Sequence, residues 1–301
     1  MAMLNNIVGF HIEPTNICTL KCAGCARTRF IDQWPQHWRN HSLDINQLHE
    51  FIDIDLKDKH IVLCGNYGDP IYHPDFHQLI SSFKQRHARL TIITNGSYKS
   101  ADWWQTTVEI LDQKDGVVFS VDGLPENFKQ YRVNADWDSI YQAMQTCVKA
   151  VCQTTWKYIP FNFNEEHIDT ARLLCKKIGI DNFQIDHSDR FDQTTEKYKP
   201  TVDKLGFRYQ SQQQWKQNNI PAVAPQCNDN KSHYISADGF YSSCCYVADH
   251  RFYYKTEFGK NKKNYSISNQ TLTQILTRPA LVEFYDSLTN QAVCQYNCPA
   301  T

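Results

Sequence analysis

Four things are missing from this sequence, and each removes a class of protein. There is no excess of charge: 31 Lys and Arg stand against 32 Asp and Glu, a net charge of −1. Without a global field, gripping nucleic acid or an anionic membrane is not expected. There is no apolar run near the roughly 20 residues that cross a bilayer. The opening residues, MAMLNNIVGFHIEP, carry no basic stretch, long apolar core or small-residue cleavage site, so the expected location is cytoplasmic. There is neither an internal repeat nor a low-complexity tract. Hydrophobic residues make up 41% and charged residues 21% of the 301. That is enough apolar material for a core and too little charge for disorder.

Cysteine is what the chain has in excess, with 12 residues. A chain this long builds a core without disulfide staples, and in a reducing compartment clustered thiols point to metal or redox chemistry. Cys18, Cys22 and Cys25 stand together near the start. Cys227, Cys244, Cys245, Cys294 and Cys298 fall in the last quarter. Cys147, Cys152 and Cys175 lie in helix-like stretches and read as small buried hydrophobes.

Short β-rich runs at 7–12, 60–64, 90–94, 117–121, 156–163 and 182–186 alternate with helical patterns at 45–56, 74–87, 101–112, 137–152 and 165–178. This spacing predicts a parallel sheet with crossover helices: six units, a partial (β/α)6 barrel short of a full eight. Residues 1–195 form that barrel in this reading, 196–220 a linker and 221–301 a small second domain. The loops after the strands carry the chemistry in such folds. Asp-Gly at 238–239 between two short β runs predicts a hairpin, and a helix over 272–288 is divided by Pro279. The segment 251–263 mixes Arg251 and four lysines with aromatic residues and reads as a solvated loop.

Cys18-x3-Cys22-x2-Cys25 supplies three soft ligands within eight residues. A closed zinc site wants a fourth from elsewhere, whereas a four-iron cube held by three thiolates keeps one iron open. Both remain possible on spacing alone. The triple-cysteine loop after the first strand resembles the signature of the radical S-adenosylmethionine (radical SAM) superfamily. Further matches follow in order. Gly65-Asn66-Tyr67-Gly68-Asp69-Pro70 resembles the loop whose backbone receives the methionine amino group. Thr94-Asn95-Gly96 resembles the end of strand three. Ser120-Val121-Asp122-Gly123 with Tyr131-Arg132 resembles the strand-four motif, with polar groups for the ribose and an arginine for the carboxylate. Gly24 departs from the pattern, since many members carry an aromatic residue just before the third cysteine.

The resemblance implies a 4Fe–4S cluster that chelates S-adenosylmethionine and reductively cleaves it to a 5′-deoxyadenosyl radical, which abstracts hydrogen from an unactivated C–H bond. The tail resembles a twitch domain, a short relative of the SPASM domain. That implies a second, auxiliary 4Fe–4S cluster on Cys227, Cys244, Cys294 and Cys298, with Cys245 an alternative to Cys244; a four-cysteine zinc hairpin uses the same spacing. Cys64 is the candidate hydrogen donor, and Asp186 a candidate base at the barrel mouth. The implied partners are a flavodoxin- or ferredoxin-type electron donor and a peptide or ribosomally made precursor to be oxidised, cross-linked or epimerised. A small molecule such as an aminocyclitol is the alternative, because strand one near residue 7 is expected to leave no room for a leader-binding domain. From another class, a zinc-stabilised binding protein without catalysis also accounts for the cysteines.

Overall fold

The computed structural model of the protein describes residues 7–188, 190–201, 223–225, 227, 232–249 and 252–298. Most of the expected linker, along with Arg251, lies outside them. Eight strands form one sheet: β1 (Gly9–Ile12), β2 (His60–Leu63), β3 (Arg89–Thr94), β4 (Gly116–Ser120), β5 (Gln153–Tyr158), β6 (Asn182–Ile185), β7 (Ser232–Ile235) and β8 (Tyr241–Ser242). Their order is β6-β5-β4-β3-β2-β1-β7-β8, with every pairing parallel except the β7–β8 hairpin. The ends do not meet, so the sheet is an open partial barrel.

The helices are α1 (Ala26–Gln33), α2 (Ile45–Phe51), α3 (Phe76–Gln85), α4 (Ala101–Ile110), α5 (Trp137–Cys147), α6 (Ile168–Ile178), α7 (Glu257–Lys260), α8 (Leu272–Leu276), α9 (Pro279–Asp286) and α10 (Ala292–Asn297). Side chains alternate along each strand, and one sheet face is mostly apolar: Phe10, Ile12, Ile61, Leu63, Leu90, Ile92, Val117, Phe119 and Trp156 are buried, with Thr94, Thr154 and His233 the buried polar residues among them. The inward residues of α2 to α6 join them in one core, which includes Cys147, Cys152 and Cys175 as read from the sequence. Asp44, Ser100 and Asp136 cap α2, α4 and α5 through their side chains.

The opposite face carries His11, Thr91, Ser120, Thr155, Lys157 and Gln184, none of them fully buried. This concave polar surface is where a barrel holds its reactants, and the loops at the strand C-termini rim it.

Three expectations change. The hairpin is present, but β7 adds parallel to β1, so the tail extends the barrel sheet at its first strand. The fifth strand runs Gln153–Tyr158, three residues earlier than expected, because Pro160 cannot donate to the ladder. The stretch after residue 251 is not a solvated loop: Phe258 and Tyr265 are fully buried beside Tyr241 and Phe284. Pro279 does divide the last long helix, standing at the first turn of α9.

Candidate functional site

β1 delivers the chain into the cysteine loop, and Cys25 is the N-cap residue of α1. All three thiols are free and half-buried. Burial pushes the Cys18 thiol up to about 12, and the nearby Asp69, Cys22 and Cys25 add to the shift. Burial also pushes Cys22 up to about 12, partly countered by Arg132. The three side chains are thus electrostatic neighbours. The Cys22 carbonyl accepts from the Cys25 N–H at 3.1 Å, and Cys18 Sγ accepts from the Leu20 N–H at 3.4 Å.

The loop after β2 is bracketed on both sides. Gly68 lies so close to the cysteine-loop backbone that a Cβ there would overlap the Thr15 carbonyl, and the Asp69 N–H donates to the Ile17 carbonyl at 3.0 Å. The buried Asp69 carboxylate accepts from Thr94 Oγ1 (2.8 Å) and from the Asn95 N–H (2.6 Å) and side-chain amide (2.5 Å). The same amide reaches Cys18 Sγ at 3.7 Å. Asp69, Thr94 and Asn95 therefore lock the loop, the end of β3 and the first cysteine to one another.

At the end of β4, Arg132 Nε donates to Asp122 Oδ2 at 2.7 Å, and Asp122 Oδ1 accepts from the Ile159 N–H at 3.0 Å. Burial opposes the guanidinium charge, but Asp122 and Cys22 outweigh it and hold Arg132 above its ordinary value. The Asp122 carboxylate is thus engaged inside the protein. Ser120 ends β4 on the polar face.

Cys64, one residue beyond β2, is pushed up to about 11 by burial, with Lys157 opposing. Lys157 also acts on His11, whose ring is lowered to about 4 chiefly by burial. Lys157 forms an ion pair with Asp186 across β5 and β6, and Gln184 donates to the same carboxylate at 2.8 Å. Asp186 therefore enters the site already paired. Asn164, in the turn after β5, is fully buried and holds that turn, accepting from the Phe161 N–H and donating to the Ile159 carbonyl.

In the tail, Cys294 and Cys298 are one turn apart, the Cys298 N–H donating to the Cys294 carbonyl at 2.8 Å. The Ala224 N–H donates to the Cys298 carbonyl at 2.9 Å, which brings the Cys227 segment to the end of α10. Burial pushes Cys294 up to about 12, with Cys244, Cys227 and Cys298 adding in that order. Burial pushes the Cys245 thiol up to about 12, with Cys244 and then Cys64 adding, and its carbonyl accepts from the Asn66 side chain at 3.2 Å.

The radical SAM superfamily model matches residues 12–174, more than half the chain. The chain belongs to the radical SAM superfamily. As a radical SAM enzyme it uses a 4Fe–4S cluster and S-adenosylmethionine, both implied by the family. The residues present fit that requirement. Three free thiols lie near Arg132, which is paired with Asp122, with no disulfide among them. Among the described residues no three His, Cys, Asp or Glu side chains converge on a single metal-ion position. A cube with a separate iron for each cysteine makes no such demand.

The fold is shared with radical SAM structures of low sequence identity. SuiB of Streptococcus suis bound to its precursor peptide SuiA superimposes with a TM-score of 0.63 at 16% identity, over 93% of this chain and 67% of that one. anSMEcpe with bound AdoMet and the Kp18Cys peptide gives 0.60 at 12%, over 96% and 88%. A curated relative from Pyrococcus furiosus, the tungsten-containing aldehyde ferredoxin oxidoreductase cofactor-modifying protein, is 28% identical over 119 residues. That match spans 38% of this radical SAM chain and about a third of the relative, 31% of its length. Among the described residues no helix is long and apolar enough to cross a membrane.

Two residues of this arrangement escape the sequence reading: Glu13 and Lys157. Alternation along β1 and β5 puts a polar side chain on the concave face at His11, Glu13 and Lys157, a period-two signal that was there to be counted.

Proposed function

We propose that this radical SAM enzyme modifies a peptide at an unactivated carbon, with an auxiliary 4Fe–4S cluster on Cys227, Cys244, Cys294 and Cys298. The bound cluster and S-adenosylmethionine together supply the one-electron chemistry that removes hydrogen from such a carbon. The remaining work falls to the chain. Cys18, Cys22 and Cys25 hold the first cluster. The loop Gly65, Asn66, Tyr67, Gly68 and Asp69 receives the methionine end, with Asp69, Thr94 and Asn95 keeping it in place. Arg132, anchored at Nε by Asp122, turns the rest of its fork to the carboxylate, and Ser120 faces the ribose. The open polar face admits the substrate, where Asp186, in exchange with Lys157, takes the proton a substrate radical sheds on oxidation. A flavodoxin- or ferredoxin-type donor supplies the electron.

The observation that carries this reading is the tail geometry: Cys294 and Cys298 stand one turn apart, the Ala224 N–H donates to the Cys298 carbonyl and brings the Cys227 segment to them, and Cys244, Cys227 and Cys298 all act on Cys294. The same tail is joined to β1 by β7, placing it beside the concave face. Peptide complexes among proteins of the same fold support the substrate class. An aminocyclitol as substrate is the second reading, favoured by the paired charges of Lys157 and Asp186, which suit a small amine or hydroxyl compound.

Anaerobic purification tests the cofactor content. Wild-type protein is expected to hold about eight irons per chain, and Cys244→Ser about four, with Cys245→Ser unchanged. About four irons in the wild type, or zinc at the tail, refutes the auxiliary cluster. Incubation with peptide fractions and with aminocyclitols, scored by S-adenosylmethionine consumption that depends on substrate, separates the two substrate classes.

A further inference from the structure

Glu13 follows β1 and is buried to 1% exposure, in a part of the fold where a lone carboxylate has no water to turn to. Its partners come from two distant elements. Oε1 accepts from the backbone N–H groups of Tyr67 at 2.6 Å and Gly68 at 2.9 Å. Oε2 accepts from the phenol of Tyr234, on β7, at 2.9 Å. Gly65 leaves room for this approach, since a Cβ there would stand 2.6 Å from Glu13 Oε1. The Glu13 N–H itself donates to the Ile235 carbonyl at 2.9 Å, so both ends of the residue are tied to the tail strand.

Peptide geometry turns these bonds into a statement about the loop. No peptide bond among the described residues is cis, and in a trans peptide the carbonyl points opposite to the N–H of the same unit. Drawing the Tyr67 and Gly68 N–H groups toward Glu13 therefore turns the Asn66 and Tyr67 carbonyls away from it. An ammonium group has donors only and needs such acceptors. A loop free to rotate those two peptides would offer N–H groups to an ammonium as readily as oxygens.

We propose that Glu13 is a positioning residue that sets the carbonyl orientation of the methionine-receiving loop, and that Tyr234 ties this setting to the tail. The inference rests on the reading of residues 65–69 as the loop that takes the amino group, and is independent of the auxiliary cluster and of the peptide substrate. Tail and loop then act as one unit. A tail strand displaced from β1 withdraws the Tyr234 hydroxyl and loosens the grip on the amino group, although Tyr234 itself never meets the cosubstrate.

The test uses the cluster-loaded enzyme and two probes, S-adenosylmethionine and 5′-deoxyadenosine, which lacks the amino acid portion. Tyr234→Phe keeps the ring and removes the hydroxyl, and is expected to weaken S-adenosylmethionine binding about three- to tenfold. Glu13→Ala is expected to weaken it by more than about tenfold, and Glu13→Gln to recover part of the loss, because an amide oxygen still accepts from the loop. Iron content and 5′-deoxyadenosine affinity stay at wild-type values in Tyr234→Phe, which decides the matter if Glu13→Ala fails to load. Unchanged S-adenosylmethionine affinity in Tyr234→Phe, or an equal loss for both probes, overturns the proposal. Equal affinity of the wild type for the two probes would instead remove its premise, showing that residues 65–69 receive no amino group.

Discussion

Tyr131 occupies the space that a side chain at Gly24 would fill: a Cβ on Gly24 would overlap the Tyr131 hydroxyl and stand 3.3 Å from its Cζ. The ring stacks on Phe161 at 4.2 Å between centroids and meets Tyr198 edge-on at 5.5 Å. Its carbonyl accepts from the Ala23 N–H at 3.3 Å, so the strand-four motif is pressed directly onto the cysteine loop. An aromatic ring thus stands against Gly24, supplied from residue 131.

Gly24→Ala is therefore expected to destabilise the protein by about 1–3 kcal/mol through overpacking. Tyr131→Phe removes the overlapping oxygen, and the double variant should regain a measurable part of the loss. Denaturant titration of the four proteins gives the coupling energy. Strict additivity would show that the two residues do not compete for one space.

Asp69 offers four acceptor contacts, and every partner is a donor: Thr94 Oγ1, the Ile71 N–H and both nitrogens of Asn95. Asp69→Asn aims an amide NH₂ at one pair of those donors. A loss of about 2–3 kcal/mol is expected from the buried mismatch, together with faster loss of iron, since Asn95 also touches Cys18. Iron absorbance after exposure to a chelator measures the second effect.

The Lys157–Asp186 pair is partly exposed, with side-chain exposures of 26% and 32%. Asp186→Asn should cost less than about 1 kcal/mol of stability, because a solvent-screened pair contributes little. If Asp186 receives the proton, product formation falls by about a hundredfold or more while the melting temperature barely moves. A full-rate Asp186→Asn enzyme would relieve this residue of any role in the chemistry.

His49 is held neutral. Arg86 Nη1 donates to its Nδ1 at 2.9 Å, and burial first, then the Arg86 charge, lowers the ring from 6.5 to about 4. His11 and His233 are likewise lowered to about 4, mainly by burial. Between pH 6.5 and 4 the unfolded chain binds protons that the folded chain refuses, so stability is complete above about pH 6.5 and declines as pH falls through that window. Denaturant midpoints across the window should show this slope, and His49→Gln should flatten it by about one proton. A flat profile in the wild type would mean that these rings are protonated in the folded state.

Spacing and periodicity are local properties, and what depends on them could be read from the residues in order. The Cys18–Cys22–Cys25 loop after a strand, the alternation of β runs with amphipathic helices, the Asp-Gly hairpin and the break at Pro279 all follow from a few neighbouring positions. Contacts across the sheet obey a different rule. Tyr234 reaches Glu13 over 221 residues of chain only because β7 enters beside β1, and Lys157 meets Asp186 only because β5 and β6 are neighbours. Strand order and register place those side chains together. Both are settled by burying the apolar face of the whole sheet, a collective quantity that no short window of residues contains.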